Sequence, residues 1–318
     1  MASKTDTSGQ AVYHFAHAKA KKAFIIKHWP LYVISIPGLL YFALFKYVPL
    51  LGSVIAFQNY NIFKGITGSP WVGFDHFKRM FAYDEFLVIL KNTLLIGLYD
   101  LIFAFPVPII LALLLNEIRH SGYKRVVQTV VYMPHFLSWV IVGGIIVGLL
   151  SPTTGVINHA LALFHIEPIY FLGENSYIRS ILIGSGIWKD SGWGTIIYLA
   201  AIAGINPDLY EAAEIDGAGR FRQVMSITLP SILPVIAILF LLQIGRFMDF
   251  GFERVFVFLN SLNSGNGEIL DTYVYRAGLI DRQYSYTTAI GLFKSCVGLL
   301  LIILGNTFSK KMTGDGLY

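Results

Sequence analysis

An all-α integral membrane protein is the fold class this sequence predicts. Three observations predict it: few charges, six long apolar runs, and an uneven division of Lys and Arg among the connecting loops. Of 318 residues, 55% are hydrophobic and only 14% charged, where a soluble domain carries about 25% charged. The mean hydropathy is +0.62, so lipid rather than water solvates most of the chain. The net charge of +5 is mild. Nucleic-acid binding would need Lys and Arg clustered on a polar domain, and the sequence has no such domain. Its single cysteine, Cys296, lies in an apolar run and predicts a buried thiol, with no intramolecular disulfide and no cysteine-rich metal site. The eight histidines show no metal-ligand spacing along a helix, so no metal is expected.

A bilayer core of about 30 Å takes roughly 20 apolar residues as a helix. Six runs qualify: Pro30–Val54, Leu87–Leu115, Val127–Leu150, Ser180–Gly204, Pro230–Phe258 and Ser285–Phe308. None alternates in the manner of a barrel strand, so helices are expected. Small residues crowd two of them. Gly143, Gly144 and Gly148, then Gly184, Ser185, Gly186, Gly192 and Gly194, allow close helix approach.

With the N-terminus inside, the inner pieces 1–29, 116–126, 205–229 and 309–318 hold twelve Lys and Arg, and the outer loops hold six. That excess predicts both termini on the cytoplasmic side. The domain reading is a cytoplasmic tail (1–29), a membrane domain (30–308) and a second tail (309–318). The N-terminus does not read as a cleavable signal, because its first ~28 residues are polar and basic. Val12–Trp29 mixes lysines with aromatic residues and suits a helix lying on the inner surface. On the outer side, Trp71, Phe74, Phe77 and Phe81 stand at near-helical spacing and predict an interfacial amphipathic helix.

The loop between runs four and five carries the most local information. Asn206 is a good helix cap, Pro207 suits the first helical position, and Asp208 complements the positive helix end. Leu209–Ile215 is predicted as a short helix and Asp216-Gly217-Ala218-Gly219 as a turn. Arg220–Thr228 is predicted as a second short helix, and Leu229-Pro230 as the opening of the fifth span. Ala212 and Ala213 give a flat face and Glu211 adds a charge. A rigid knob of this kind fills a partner's groove at little ordering cost.

This segment resembles the coupling loop of permeases from binding-protein-dependent ABC importers. Their pattern is matched by Glu211, Ala212, Ala213, Gly217, Ile227, Leu229 and Pro230. Further stretches resemble the carbohydrate permeases of that class: Phe105-Pro106, Leu115-Asn116-Glu117, Tyr132-Met133-Pro134-His135-Phe136, Ile187-Trp188-Lys189, Tyr198-Leu199-Ala200-Ala201 and Asp271 to Arg276. Among them the chain is similar to importers of polysaccharide breakdown products, the alginate and rhamnogalacturonan types. It departs from the maltose type, having Asn263-Ser264-Gly265-Asn266-Gly267 in place of a Gly-Gly-Gly-Pro stretch, so maltose-type contacts are not carried over.

The resemblance implies the ABC type I importer permease fold, with six transmembrane helices and a cytoplasmic coupling helix. It also implies a second, similar permease, two ATPase subunits that carry ATP-Mg, and an extracytoplasmic sugar-binding protein. In that picture Glu211 lies at the ATPase contact, Asp216 and Gly217 form the turn, and Leu229-Pro230 tie it to the fifth span. The chain itself has no G-x-x-x-x-G-K-[S/T] phosphate loop. It is expected to bind no cofactor and to catalyse nothing.

Ionisable residues at membrane depth usually face a cavity or a partner. Here they are Asp100, Lys189, Asp190, Arg246, Asp249 and Lys294. Arg246 and Asp249, three apart, suit an ion pair on one helix. Lys189 and Asp190 point differently and are not expected to share a partner. Trp188, Trp193 and Tyr198 offer faces on which sugars stack. Three cations, Lys189, Arg246 and Lys294, suggest acidic oligosaccharides as cargo, although the three aspartates are able to neutralise them. An ion-gradient transporter is the alternative class. It would use the same aspartates but needs two repeated halves, which the sequence does not display.

Overall fold

The computed structural model describes residues 27–313. The predicted surface helix at Val12–Trp29 lies largely outside that range, as does the end of the C-terminal tail. The chain forms two units, Met1–Ile55 with Tyr60–Ser69 and Ala56–Asn59 with Pro70–Tyr318. Among the described residues everything regular is helical, and the one β feature is an isolated bridge between Gln58 and Trp71. Among the described residues, four helices are long and apolar enough to cross a membrane, and a fifth joins them if one bent pair counts as a single span.

The first of the four is α1, Trp29–Phe57. It is apolar all round, and none of its residues from Trp29 to Gly52 is buried. Such a helix needs lipid or another chain to cover it. In the second unit, α2 (Asp75–Ala82) bears Phe77 and Phe81. Trp71, expected on the same helix, instead stacks on Phe57 at 5.7 Å beside the bridge. The long helix α3 spans Asp84–Asn116.

The predicted third span is not one helix. It is α4, Ser121–Phe136, followed by α5, Trp139–Leu149, with a bend of 106° between them. Pro134 cannot donate to the preceding turn, and residues 133–136 tighten into a 3₁₀ turn. Leu137 is extended. Ser138 then caps a new helix, its hydroxyl accepting from the Ile141 N–H at 3.3 Å. The segment after α5 contains α6, Val156–Ala162.

Next comes α7, the 26-residue helix Ile178–Ala203. It is long enough to cross a bilayer but is less apolar than the four. It packs along α3 and against α4. Glycine makes the second contact possible, since a Cβ on Gly192 would lie 2.1 Å from the Val131 carbonyl oxygen.

After the loop helix α8, Asp208–Ile215, the third of the four long apolar helices, α9, runs from Arg220 to Gly245. This corrects two expectations. Arg220–Thr228 is not a separate helix, because the chain continues without interruption into the apolar body. The run also ends at Gly245 rather than Phe258. Arg246, Asp249, Glu253 and Arg254 follow within nine residues, a charge density that a lipid-facing helix does not tolerate. Gly251 reverses the chain at φ +90°, and a short helix, α10 (Phe252–Phe256), folds back onto α7 and α5. Leu270–Val274 then continues into Tyr275–Ile280, and α11, Tyr284–Thr313, completes the described chain. Cys296, expected to be buried, is exposed on α11. It lies on a face left open by the described residues.

Three long helices contain a π turn placed two residues before a proline. In each, the residue preceding Pro49, Pro106 or Pro230 donates its N–H to the carbonyl five back: Val48 to Ala43, Phe105 to Asp100, Leu229 to Val224. Proline lacks an N–H, and its ring collides with the carbonyl four back. The wider turn relieves that collision without breaking the helix.

Candidate functional site

The loop between α7 and α9 folds as its residues dictate. Asn206 Oδ1 accepts the Asp208 N–H at 3.1 Å, and Pro207 already has helical dihedral angles, so Asn206 acts as the cap. The helix stops at Gly217, whose φ of +76° suits glycine alone at no steric cost. The Ala218 N–H closes the end on the Ala213 carbonyl at 2.8 Å. No residue of α8 is buried. Glu211, Ala212, Asp216 and Gly217 are all exposed, and Leu209, Ile215 and Phe221 add large apolar surface, with Ile215 87% exposed.

The loop is nonetheless tied to the body. Arg220 Nη1 donates to Glu117 at the end of α3 (3.3 Å), and Gln223 Nε2 donates to the Ala218 carbonyl (3.1 Å). Tyr210 and Thr228 join hydroxyls at 2.8 Å. Of the remaining motif residues, Ile227 and Leu229 are half-buried in α9 and Pro230 is exposed.

A second cluster forms at the break between α4 and α5, against the middle of α7. His135 Nδ1 lies 3.0 Å from Asp190 Oδ1. A carboxylate only accepts, so this nitrogen carries the proton. The imidazole stacks on Trp193 with centroids 4.7 Å apart and planes within 6°, and Phe136 meets the same indole edge-on at 5.7 Å. Lys189 is 7% exposed. Its Nζ donates to the His135 carbonyl at 2.7 Å and sits 5.6 Å from the Trp139 ring centre. Lys189 and Asp190 therefore share His135 after all, one through its carbonyl and the other through its ring. A bent chain presents both groups to α7, which a straight span would not have done. Phe136 is 73% exposed and Trp193 about half exposed, so the cluster offers two aromatic faces, an imidazole and a carboxylate to the outside.

Trp188 does not join Trp193. Five residues apart on a helix, they point about 140° away from each other. Trp188 instead lines a cavity of about 440 Å³ between α5 and α7, with Ile146, Leu149, Phe171, Tyr177 and Ser185 among its walls. Tyr198 is buried with Ala112, Ile202 and Ile232 and offers no face to a sugar.

The other charged candidates are held apart from this cluster. Asp100, 4% exposed, lies in the π turn of α3. It accepts a two-pronged ion pair from Arg254 at 2.8 and 3.0 Å. Arg254 also donates to the Leu182 carbonyl, and a Cβ on Gly186 would strike its guanidinium. Sequence reasoning missed Arg254, because a run of charges inside an assigned span was read through rather than as its end. Arg246 and Asp249 do not share a helix and form no ion pair among the described residues. Arg246 is exposed at the end of α9, while Asp249 lies 3.9 Å from Lys294, which binds Asp271 more closely.

Two further arginines, Arg179 and Arg276, make polar contacts with α3 that sequence reasoning did not anticipate. Arg179 donates to Asn92 and Asn266. Arg276 bridges Glu268 and Glu85, and these bonds hold its guanidinium charged above the usual arginine range. Beside it, burial pushes the Tyr273 phenol well up.

The family described as "Binding-protein-dependent transport system inner membrane component" matches residues 104–314. The chain belongs to this family. It is 50% identical over 306 residues to the polygalacturonan/rhamnogalacturonan transport system permease protein YteP of Bacillus subtilis (strain 168), covering 96% of this chain and 95% of that one. Among solved structures it matches a chain of a bacterial ABC transporter involved in the import of the acidic polysaccharide alginate. The TM-score is 0.86 and the identity 40%, over 92% of this chain and 99% of that one. A second structure of a bacterial alginate ABC transporter, in complex with an alginate pentasaccharide-bound periplasmic protein, matches equally well (TM-score 0.86, 40% identity). The chain is thus a permease of the ABC importer class, all-helical and built for a membrane, with sugar and oligosaccharide transport as the business of its relatives.

Proposed function

We propose that this chain is the permease subunit of an ATP-driven importer for oligosaccharides released from acidic polysaccharides. It works in the bacterial cell membrane with a second permease of similar fold, two ATPase subunits that bind ATP-Mg, and an extracytoplasmic solute-binding protein. The six spans are α1, α3, the α4–α5 pair, α7, α9 and α11. The Lys and Arg excess in 1–29, 116–126, 205–229 and 309–318 supports an orientation with both termini and α8 on the cytoplasmic side.

The single observation that carries the motor half is α8, a capped, unburied helix with exposed Leu209, Glu211, Ala212 and Ile215. Exposed apolar groups on an ordered knob call for a partner groove, and the matched coupling pattern makes that groove an ATPase's. Closure of the ATPase pair then moves α8, and the permeases alternate between inward and outward openings.

For cargo, the cluster at the α4–α5 break supplies the chemistry a sugar needs. Trp193 and Phe136 stack against C–H faces, while Asp190 and His135 bond hydroxyls. Acidic cargo is supported chiefly by the relatives. Of the three cations, Lys189 is turned inward to the His135 carbonyl and Lys294 is neutralised by Asp271. Arg246 is left to meet a carboxylate.

Purification in mild detergent tests the assembly. The chain is expected to bring down an ATPase and a second permease, and a lone polypeptide active in transport would sink the reading. Uptake by Arg246→Ala tests the charge. Uronate oligosaccharides should lose more than neutral ones, and equal loss for both argues against charge recognition.

A further inference from the structure

The loop's link to α9 carries an inference about how motion passes from α8 into the membrane. Between them lies the π turn Val224–Thr228. Leu229 donates five residues back, to Val224, and Pro230 donates to nothing. This stretch therefore has fewer backbone bonds than a regular helix, and such π turns act as joints. Gln223 and Arg220 tie the loop to neighbours, but only on the near side of the joint. A displacement of α8 passed through the backbone alone would be absorbed there.

One contact bypasses the joint. Tyr210, on α8, reaches Thr228 at the far end of the π turn, with hydroxyls 2.8 Å apart. Thr228 is 1% exposed and Tyr210 half-buried, so the bond is part-buried, with its Thr228 end out of water. Four residues further along α9, Ile232 packs with Ala112, Tyr198 and Ile202. We infer that Tyr210 and Thr228 form a strut that carries displacement of α8 past the compliant π turn into the packed part of α9. Both are positioning residues, since neither touches nucleotide or cargo. The inference rests on the reading of α8 as the motor contact.

The test uses the full complex in proteoliposomes, with its ATPase, second permease and solute-binding protein. It measures ATP hydrolysed per oligosaccharide imported. Tyr210→Phe and Thr228→Val keep shape and remove the bond. Each should assemble normally and still hydrolyse ATP, but the ratio should rise roughly two- to tenfold, the scale set by one hydrogen bond. Thr228→Ser, which keeps the hydroxyl, should restore the ordinary ratio. The double variant should be no worse than either single one. An unchanged ratio in both single variants, or additive effects in the double, would overturn the strut and leave the motor contact standing. Failure of the unaltered chain to bind an ATPase would overturn the reading of α8 itself.

Discussion

The α8 loop and the α4–α5 break are both short departures from long apolar helices, yet they are built oppositely. In the loop nearly every defining bond is local: Asn206 to Asp208, Ala218 to Ala213, Gln223 to Ala218, and at most 18 residues between Tyr210 and Thr228. The break is held from a distance. His135 meets Asp190 and Lys189 across 55 and 54 residues, and away from the break the buried Asp100–Arg254 pair likewise spans 154. Local bonds make a rigid handle that survives outside the body. Distant bonds make a surface that exists only when the helices are packed, and that changes when they move. A motor contact and a cargo path need those two properties respectively.

The sharpest way to break the comparison is to remove the buried ion pair between Asp100 and Arg254. Asp100→Asn or Arg254→Met alone leaves a buried charge without its partner, at a cost of about 3–5 kcal/mol. Thermal unfolding of the purified complex should show a large loss of stability for each. Asp100→Asn combined with Arg254→Met should recover part of it, because neither charge remains. Wild-type stability in both single variants would show that the pair does not organise the interior.

The contrast in range also explains what could be read from sequence. Cap, turn and helix in 206–217 were legible because each follows from residues within a few positions. The apolar helices were legible from length and composition. The α4–α5 break was missed although Pro134 and Ser138 stood four residues apart, a stop followed by a cap, because the apolar run continued through them. The end of α9 was missed for the same reason. Hydropathy outweighed the charges from Arg246 to Arg254, of which Arg254 finds its partners on α3 and α7 and Asp249 faces Lys294 on α11. The sharing of His135 by Lys189 and Asp190 had no local signal, since it depends on a bend that brings a carbonyl and a ring to one helix face.

Smaller effects sharpen the same contrast. Trp193→Ala removes the platform under His135. A stacked pair adds about 0.5–1.5 kcal/mol beyond burial, so import should fall about tenfold or less while assembly and basal ATP hydrolysis persist. Loss of assembly instead would make Trp193 a packing residue. Ile215→Ser removes exposed apolar area from α8 without touching its fold. It should weaken ATPase retention during purification severalfold, on the scale of about 1–2 kcal/mol for a side chain of that size, and leave thermal stability of the permease unchanged. A change in stability with normal retention would reverse that assignment.

If α8 is the point where an ATPase moves the permease, Gly217→Pro is the substitution that probes it most directly. Proline cannot adopt the φ of +76° found there, so the turn that orients α8 is lost while the membrane helices keep their contacts. The measurement is ATP hydrolysis by the reconstituted complex when cargo-loaded solute-binding protein is added. The predicted result is an assembled complex whose hydrolysis no longer responds to that protein. Full stimulation in the Gly217→Pro variant would contradict the account.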